Sequence, residues 1–196
     1  MKSGNNPPGR IIIIGAGFSG TMTAIHLLRR ARAPLEIILI EREVRQFGRG
    51  VAYSTELDCH LLNVPAANMS AFPDDPGHFL GWAQGRQSAL LNPPWVPEIA
   101  PGTFLPRRAY GDYLNAALNA AVAAAPAGVR LLRRAAQAVG VTEVPGGVLV
   151  RLLGGTRLVA DKLVLALGNF PPGDPTVANT SFYASPRYHG NPWAPG

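Results

Sequence analysis

Ile11-Ile12-Ile13-Ile14-Gly15-Ala16-Gly17-Phe18-Ser19-Gly20 is the stretch that decides the fold. Four consecutive β-branched residues suit a strand buried on both faces, as in a parallel sheet. The glycines that follow match GxGxxG. Gly15 permits a tight turn after the strand. Gly17 lets a backbone approach a pyrophosphate with no Cβ in the way, and Gly20 lets the next helix pack close to the strand. A helix N-terminus adds free N–H groups and the positive end of a dipole, both suited to phosphate. Ala16, Phe18 and Ser19 complete the turn and are candidate cofactor contacts with the three glycines.

Working outward, a helix fits Ser19 to Arg32, with Met22, Ala24, Ile25 and Leu28 on its inner face. Arg29, Arg30 and Arg32 suit the negative end of its dipole, and Pro34 stops it. Glu36 to Ile40 reads as a second buried strand ending at Glu41, so the whole is one βαβ unit of about 30 residues. Glu41 stands about 20 residues past the glycines, where an acid takes the adenosine ribose hydroxyls. Its neighbour Arg42 would suit a ribose 2′-phosphate, a reading the acid before it opposes. The competing interpretation, a glycine-rich turn beside a surface glutamate, leaves the strand, turn, helix and acid in register unexplained.

Composition narrows the class. The 196 residues are 47% hydrophobic and 15% charged, a globular balance, while 22 Gly and 19 Pro require much loop. The net charge of +6 is scattered over arginines, with no like-charge block or aromatic–basic alternation, so no nucleic-acid partner is expected. Cys59 is the only cysteine, which excludes an internal disulfide and a CxxC reductase, and it is expected as a buried or half-buried thiol. No segment approaches the roughly 20 apolar residues of a membrane span, nor does the N-terminus read as a signal peptide. No membrane partner is therefore expected, and a cytoplasmic location is the default.

Residues 1–9 read as a frayed polar leader. From Phe47 to Pro106 the periodicity fades. One helix is expected at Pro76–Gln87, capped by Asp74 or Asp75. Tyr53, Leu61, Leu62, Phe72, Phe79, Trp82, Trp95 and Phe104 make this long insert an ordered segment folded over a site rather than a disordered one. A further helix fits Tyr110–Ala125 and a third strand Val129–Leu132. Segments near Gln137–Glu143, Val148–Leu153 and Leu158–Ala160, separated by Pro145-Gly146-Gly147 and Gly154-Gly155, form a three-stranded meander. Lys162–Leu167 is a last buried strand. The fold class is therefore α/β: a Rossmann-like parallel sheet, doubly wound, with an inserted three-stranded antiparallel β-meander. A FAD-binding domain is expected over 10–170, with 47–106 as the insert over the flavin and 171–196 as a tail.

FAD rather than NAD follows from the layout. The long insert and the meander before the strand ending Ala166-Leu167-Gly168 are similar to the FAD domains of glutathione-reductase-like flavoproteins. That resemblance assigns Ala136 to the segment meeting the adenine, and Ala166 and Gly168 to the backbone passing close to the cofactor. A closer resemblance lies in Gly48-Arg49-Gly50-Val51-Ala52-Tyr53, Leu61-Leu62-Asn63-Val64-Pro65-Ala66, Met69-Ser70-Ala71-Phe72-Pro73-Asp74-Asp75-Pro76 and Phe79-Leu80-Gly81-Trp82. Phe104 to Leu114, Leu167-Gly168-Asn169 and Asn191-Pro192-Trp193 extend it over nearly the whole chain. These motifs resemble a family of bacterial FAD/NAD(P)-binding proteins that includes FAD-dependent urate hydroxylase and aspartate N-monooxygenase.

The resemblance implies a flavin-dependent, NAD(P)H-using monooxygenase acting on a small molecule, in which the cofactor carries the chemistry and the protein supplies binding, shielding and orientation. No catalytic residue can be named, and the substrate and oligomeric state are not legible. It also implies a second GxGxxG for NAD(P)H, which these residues lack; the tail is accordingly expected to lead into a C-terminal part, and 1–196 alone to leave NAD(P)H unoxidised. A flavin oxidoreductase with another acceptor and a truncated non-catalytic fragment are the alternatives.

His60, Asn63, Met69 and Ser70 fall where distantly related N-hydroxylating monooxygenases approach the isoalloxazine. Asn63 is favoured because a buried amide needs partners and a flavin offers several. Met69 is as readily a packing residue. Arg107 or Arg108 could meet the pyrophosphate or an anionic substrate, or be a solvated pair ahead of a helix. His26 and His78 read as structural, His189 has no assigned role, and no His/Cys/Asp cluster has metal spacing.

Overall fold

A computed structural model describes residues 8–90, 98–170 and 172–191. Trp95, the far part of the leader, Pro171, and Pro192 and Trp193 of the last motif lie outside the described residues. The βαβ unit forms as β1 (Gly9–Ile14), α1 (Phe18–Arg30) and β2 (Leu35–Glu41). β1 takes in Gly9 and Arg10, which the sequence had assigned to or next to the leader, because Gly9 pairs with Leu35 at the start of the ladder. Two short helices, α2 (Gly50–Tyr53) and α3 (His78–Gln84), and a further turn of helix, α4 (Gln87–Leu90), punctuate the insert. α5 (Arg107–Ala123) follows, then β3 (Val129–Ala135), the meander strands β4 (Ala138–Val144), β5 (Gly147–Leu152) and β6 (Arg157–Ala160), and finally β7 (Lys162–Leu165).

The parallel sheet runs β3-β2-β1-β7, and the meander is a separate antiparallel sheet in the order β4-β5-β6. Alternation along β1 and β2 sends side chains to two cores. Ile13, Ile37 and Leu39 face α1, α5 and the insert, which contributes Leu62, Phe72, Phe79, Ile99 and Leu105. Ile12, Ile38 and Ile40 face the other way, against Val148, Val150 and Leu152 of the meander. Both faces of the central strands are buried, which is why they read as unbroken apolar runs. The second face is covered by the meander and not by helices, so the sheet is not doubly wound in the described residues.

Several boundaries move for physical reasons. β3 continues past Leu132 because it is an edge strand, and Arg133 and Arg134 pair with Leu39 and Ile40 while keeping their side chains in solvent. β7 stops at Leu165, the partner of Ile14, because β1 itself turns away at Gly15. α5 starts at Arg107, so the arginine pair lies in its first turn rather than ahead of it. The expected helix at 76–87 breaks into α3 and α4. Its N-cap is Gly77, with no side-chain cap bond, so neither Asp74 nor Asp75 caps it; the Asp75 carbonyl accepts the His78 amide instead. The insert is closed by an antiparallel arm, where Leu62 donates its amide to Leu105 (2.8 Å) and Arg107 to His60 (2.8 Å). Among the described residues no helix is long and apolar enough to cross a membrane.

Candidate dinucleotide site

The carboxyl ends of the four parallel strands meet at one edge, the position where open α/β sheets bind ligands. β1 ends in the glycine-rich turn. Gly15 adopts φ +98° and donates its amide to Ile40 at 2.8 Å. A Cβ on Gly15 would overlap the Ala166 carbonyl, so only glycine lets β1 turn this close to the end of β7. Ala166 in turn donates its amide to Ile14 at 2.8 Å. A Cβ on Gly20 would likewise strike the Gly15 carbonyl, which is the close packing of helix on strand that the motif predicts.

Gly17 is the N-cap of α1, and no acidic residue sits in the first turn. The first-turn amides have no intrahelical carbonyl to bond, so they present donors at the edge. Phe18 and Ser19 are exposed there. With a Cβ on Gly15 or Gly20 excluded by backbone and the first-turn amides of α1 without an intrahelical acceptor, the turn fits a pyrophosphate.

Glu41 is half-buried at the end of β2. Its Oε2 accepts the Ala16 amide (3.0 Å), and its Oε1 accepts those of Arg42 (2.9 Å) and Glu43 (3.4 Å). A carboxylate has about four acceptor positions, so capacity remains for a ribose hydroxyl. Reading Glu41 from sequence as a ribose ligand alone missed this: the same side chain ties the glycine-rich turn to β2. Ala136 lies beside it, donating its amide to the Glu41 carbonyl at 2.9 Å. Gly15 to Gly20, Glu41, Arg42, Ala136 and Ala166 are therefore brought together. Gly168, at φ +69°, follows Ala166 in exposed backbone.

The residues expected near the flavin ring sit on the insert. His60 and Asn63 belong to its antiparallel arm and are exposed; the burial argument for Asn63 does not hold. The His60 Nδ1 is 2.8 Å from the Thr55 hydroxyl. Met69 packs half-buried on the first core. Ser70 Oγ donates to the Asp75 carbonyl at 2.6 Å and accepts the Phe72 amide, so its hydroxyl holds the turn before α3. Arg108 is ion-paired with Asp58, which raises its pKa above the ordinary guanidinium value. Arg107 donates Nε to the Leu61 carbonyl at 3.1 Å. Cys59 is exposed rather than buried, because it lies on the turn leading into the arm. His26 lies half-buried within α1, and His189 is exposed on the tail.

Beneath the arm lies an aromatic cluster the sequence did not resolve. Tyr110 stacks on Phe18 with ring centroids 6.4 Å apart and meets Tyr53 at 4.7 Å and Phe79 at 5.1 Å. Tyr113 accepts the Ala71 amide at 3.3 Å and lies 2.8 Å from His78 Nδ1, a structural role for that histidine. Burial raises the pKa of Tyr53, Tyr110 and Tyr113. The spacing Arg107, Tyr110, Tyr113, Leu114 on α5 carried the signal for this face. A shallow groove lined by Val141, Glu143, Asp161 and Lys162 lies at the opposite, amino edge of the sheet and holds none of the predicted site residues. Among the described residues no group of three His, Cys, Asp or Glu is placed to hold a metal.

Among solved structures, a flavin-containing monooxygenase from Stenotrophomonas maltophilia superposes with a TM-score of 0.53 at 20% identity, covering 86% of this chain and 42% of that one. Cyclohexanone monooxygenase gives 0.52 at 15% identity over 85% of this chain and 29% of its own. FqzB gives 0.51 at 15% identity over 83% and 37%. The likeness is one of fold, and the chain spans less than half the length of each. No curated protein matches. The model of the family described as FAD-NAD(P)-binding matches residues 12–170, most of the chain and every part of the carboxyl-edge site, and the protein belongs to that family.

Proposed function

We propose that the chain forms the FAD-binding part of a flavin-dependent, NAD(P)H-using monooxygenase that acts on a small molecule. The observation that carries this reading is the convergence of the Gly15–Gly20 turn, Glu41, Ala136 and Ala166 on one sheet edge. The amides of the first turn of α1 would hold the pyrophosphate, Glu41 the adenosine ribose, and the backbone at Ala136 the adenine. Ala166 and Gly168 would pass along the cofactor, with Asn63 of the insert near the isoalloxazine. FAD would supply hydride acceptance and oxygen chemistry; the chain's own residues bind it, orient it and shield it from water.

The monooxygenase neighbours support the choice of reaction class. The motifs that resemble the group containing urate hydroxylase and aspartate N-monooxygenase support a small-molecule substrate without selecting one. The test is oxygen consumption driven by NADPH or NADH in the purified full-length protein. A yellow protein that consumes oxygen on addition of NAD(P)H supports the proposal. A flavin-loaded protein that oxidises NAD(P)H with dichlorophenolindophenol but never with oxygen would favour a flavin reductase with another acceptor.

A further inference from the structure

The Gly48-Arg49-Gly50 turn has no assigned role, yet it sits against the glycine-rich turn. Gly48 donates its amide to the Ala16 carbonyl at 2.8 Å. Gly50, at φ +56°, lies against Gly17: a Cβ on it would be 3.0 Å from the Gly17 Cα. Any L side chain at position 50 would be strained in this conformation and would push on the residue that caps α1.

One face of α5 grips the turn from behind. Asn115 Nδ2 donates to the Phe47 carbonyl at 2.8 Å. Arg49 Nη1 donates to the Arg108 carbonyl at 3.3 Å, and its Nη2 is ion-paired with Asp112. Residues 108, 112 and 115 follow the i, i+4, i+7 spacing of a single helical face. Gly111 belongs to the same device, because a Cβ there would come within 2.7 Å of Arg49 Cγ and 2.9 Å of the Tyr53 carbonyl. α5 thus holds the Gly48–Gly50 turn, and that turn backs the α1 N-terminus.

We infer that Arg49 and Asp112 are positioning residues of the dinucleotide site: their ion pair fixes the Gly48–Gly50 turn as a second backbone wall beside the pyrophosphate, and so sets the affinity for FAD. The inference rests on the FAD-binding role proposed above. The Arg49 guanidinium is engaged by α5, so both residues act through Gly50 and Gly17. The pair is part-exposed, so its direct share of fold stability is small, and affinity and stability separate.

The test is a FAD titration of the full-length protein by flavin fluorescence, run beside the thermal midpoint of the FAD-free protein. Arg49→Gln and Asp112→Asn are expected to weaken FAD binding by about tenfold, equivalent to about 1.4 kcal/mol, with the FAD-free midpoint little changed. The double variant should be no weaker than either single one, because both remove the same pair. Arg49→Lys should recover part of the affinity, and Gly50→Ala should lose at least as much as Asp112→Asn. Arg45→Gln removes an exposed pair with Glu56 that does not involve α5, and should bind as the unaltered protein does. Unchanged affinity in Arg49→Gln and Asp112→Asn overturns the inference while leaving the FAD role standing. So does a lower midpoint with unchanged affinity. An unaltered protein that fails to bind FAD overturns both.

Discussion

Glu36 shows how one buried charge is kept in a parallel sheet. It is 3% exposed near the amino end of the ladder, where Arg10 of β1 and Arg130 of β3 are its register partners. Arg10 Nε reaches Oε1 at 2.6 Å, and Arg130 Nε reaches Oε2 at 2.8 Å. Burial pushes the carboxyl pKa up; the two guanidiniums outweigh it and hold Glu36 below its ordinary value. A carboxylate whose folded pKa is depressed stabilises the fold above its unfolded pKa, and that contribution disappears as the pH falls through the depressed value. Glu36→Gln should therefore cost roughly 1.5–3 kcal/mol at pH 7 and flatten the acid limb of stability, as measured by urea unfolding at several pH values. Glu41 ties the turn to β2 and is the proposed ribose ligand. Glu41→Ala leaves the Ala16 amide without its acceptor and would remove the proposed ribose ligand, so FAD titration should show a loss of about 1–3 kcal/mol in binding.

At the scale of elements, the regular segments were legible and the irregular one was not. Ile11–Ile14 and Glu36–Ile40 have both faces buried, so composition alone marks them, and the glycine spacing marks the turn between them. The meander was legible because Gly146 and Gly154 occupy positive φ at its turns. The insert gave only its aromatic content. Its order comes from tertiary contacts with α5, which no local period encodes, and this is also why the exposure of Asn63 and Cys59 was misread. Phe79, fully buried between Tyr110, Tyr113 and Trp82, tests that dependence. Phe79→Ala should lower stability by about 3–5 kcal/mol, with near-UV circular dichroism and tryptophan fluorescence shifting together, because the insert shares the first core with α1 and β2. Tyr113→Phe should cost about 1–3 kcal/mol by leaving the buried Ala71 amide unsatisfied.

Residues 9–166, as far as they are described, stack in layers: helices and insert, parallel sheet, and meander. The sheet's central strands are pinned from both faces, so the strand ends that form the carboxyl edge are held in place, and a site built there is preorganised by the fold. In the proposed function this edge reads the adenosine–pyrophosphate half of FAD through α1 and Glu41. Parallel fluorescence titrations of the full-length protein with FAD and with FMN, which lacks adenosine, test it most directly. Saturable one-to-one binding of FAD and no saturable binding of FMN at the same concentrations is expected; equal binding of both, or of neither, would contradict that role for the edge.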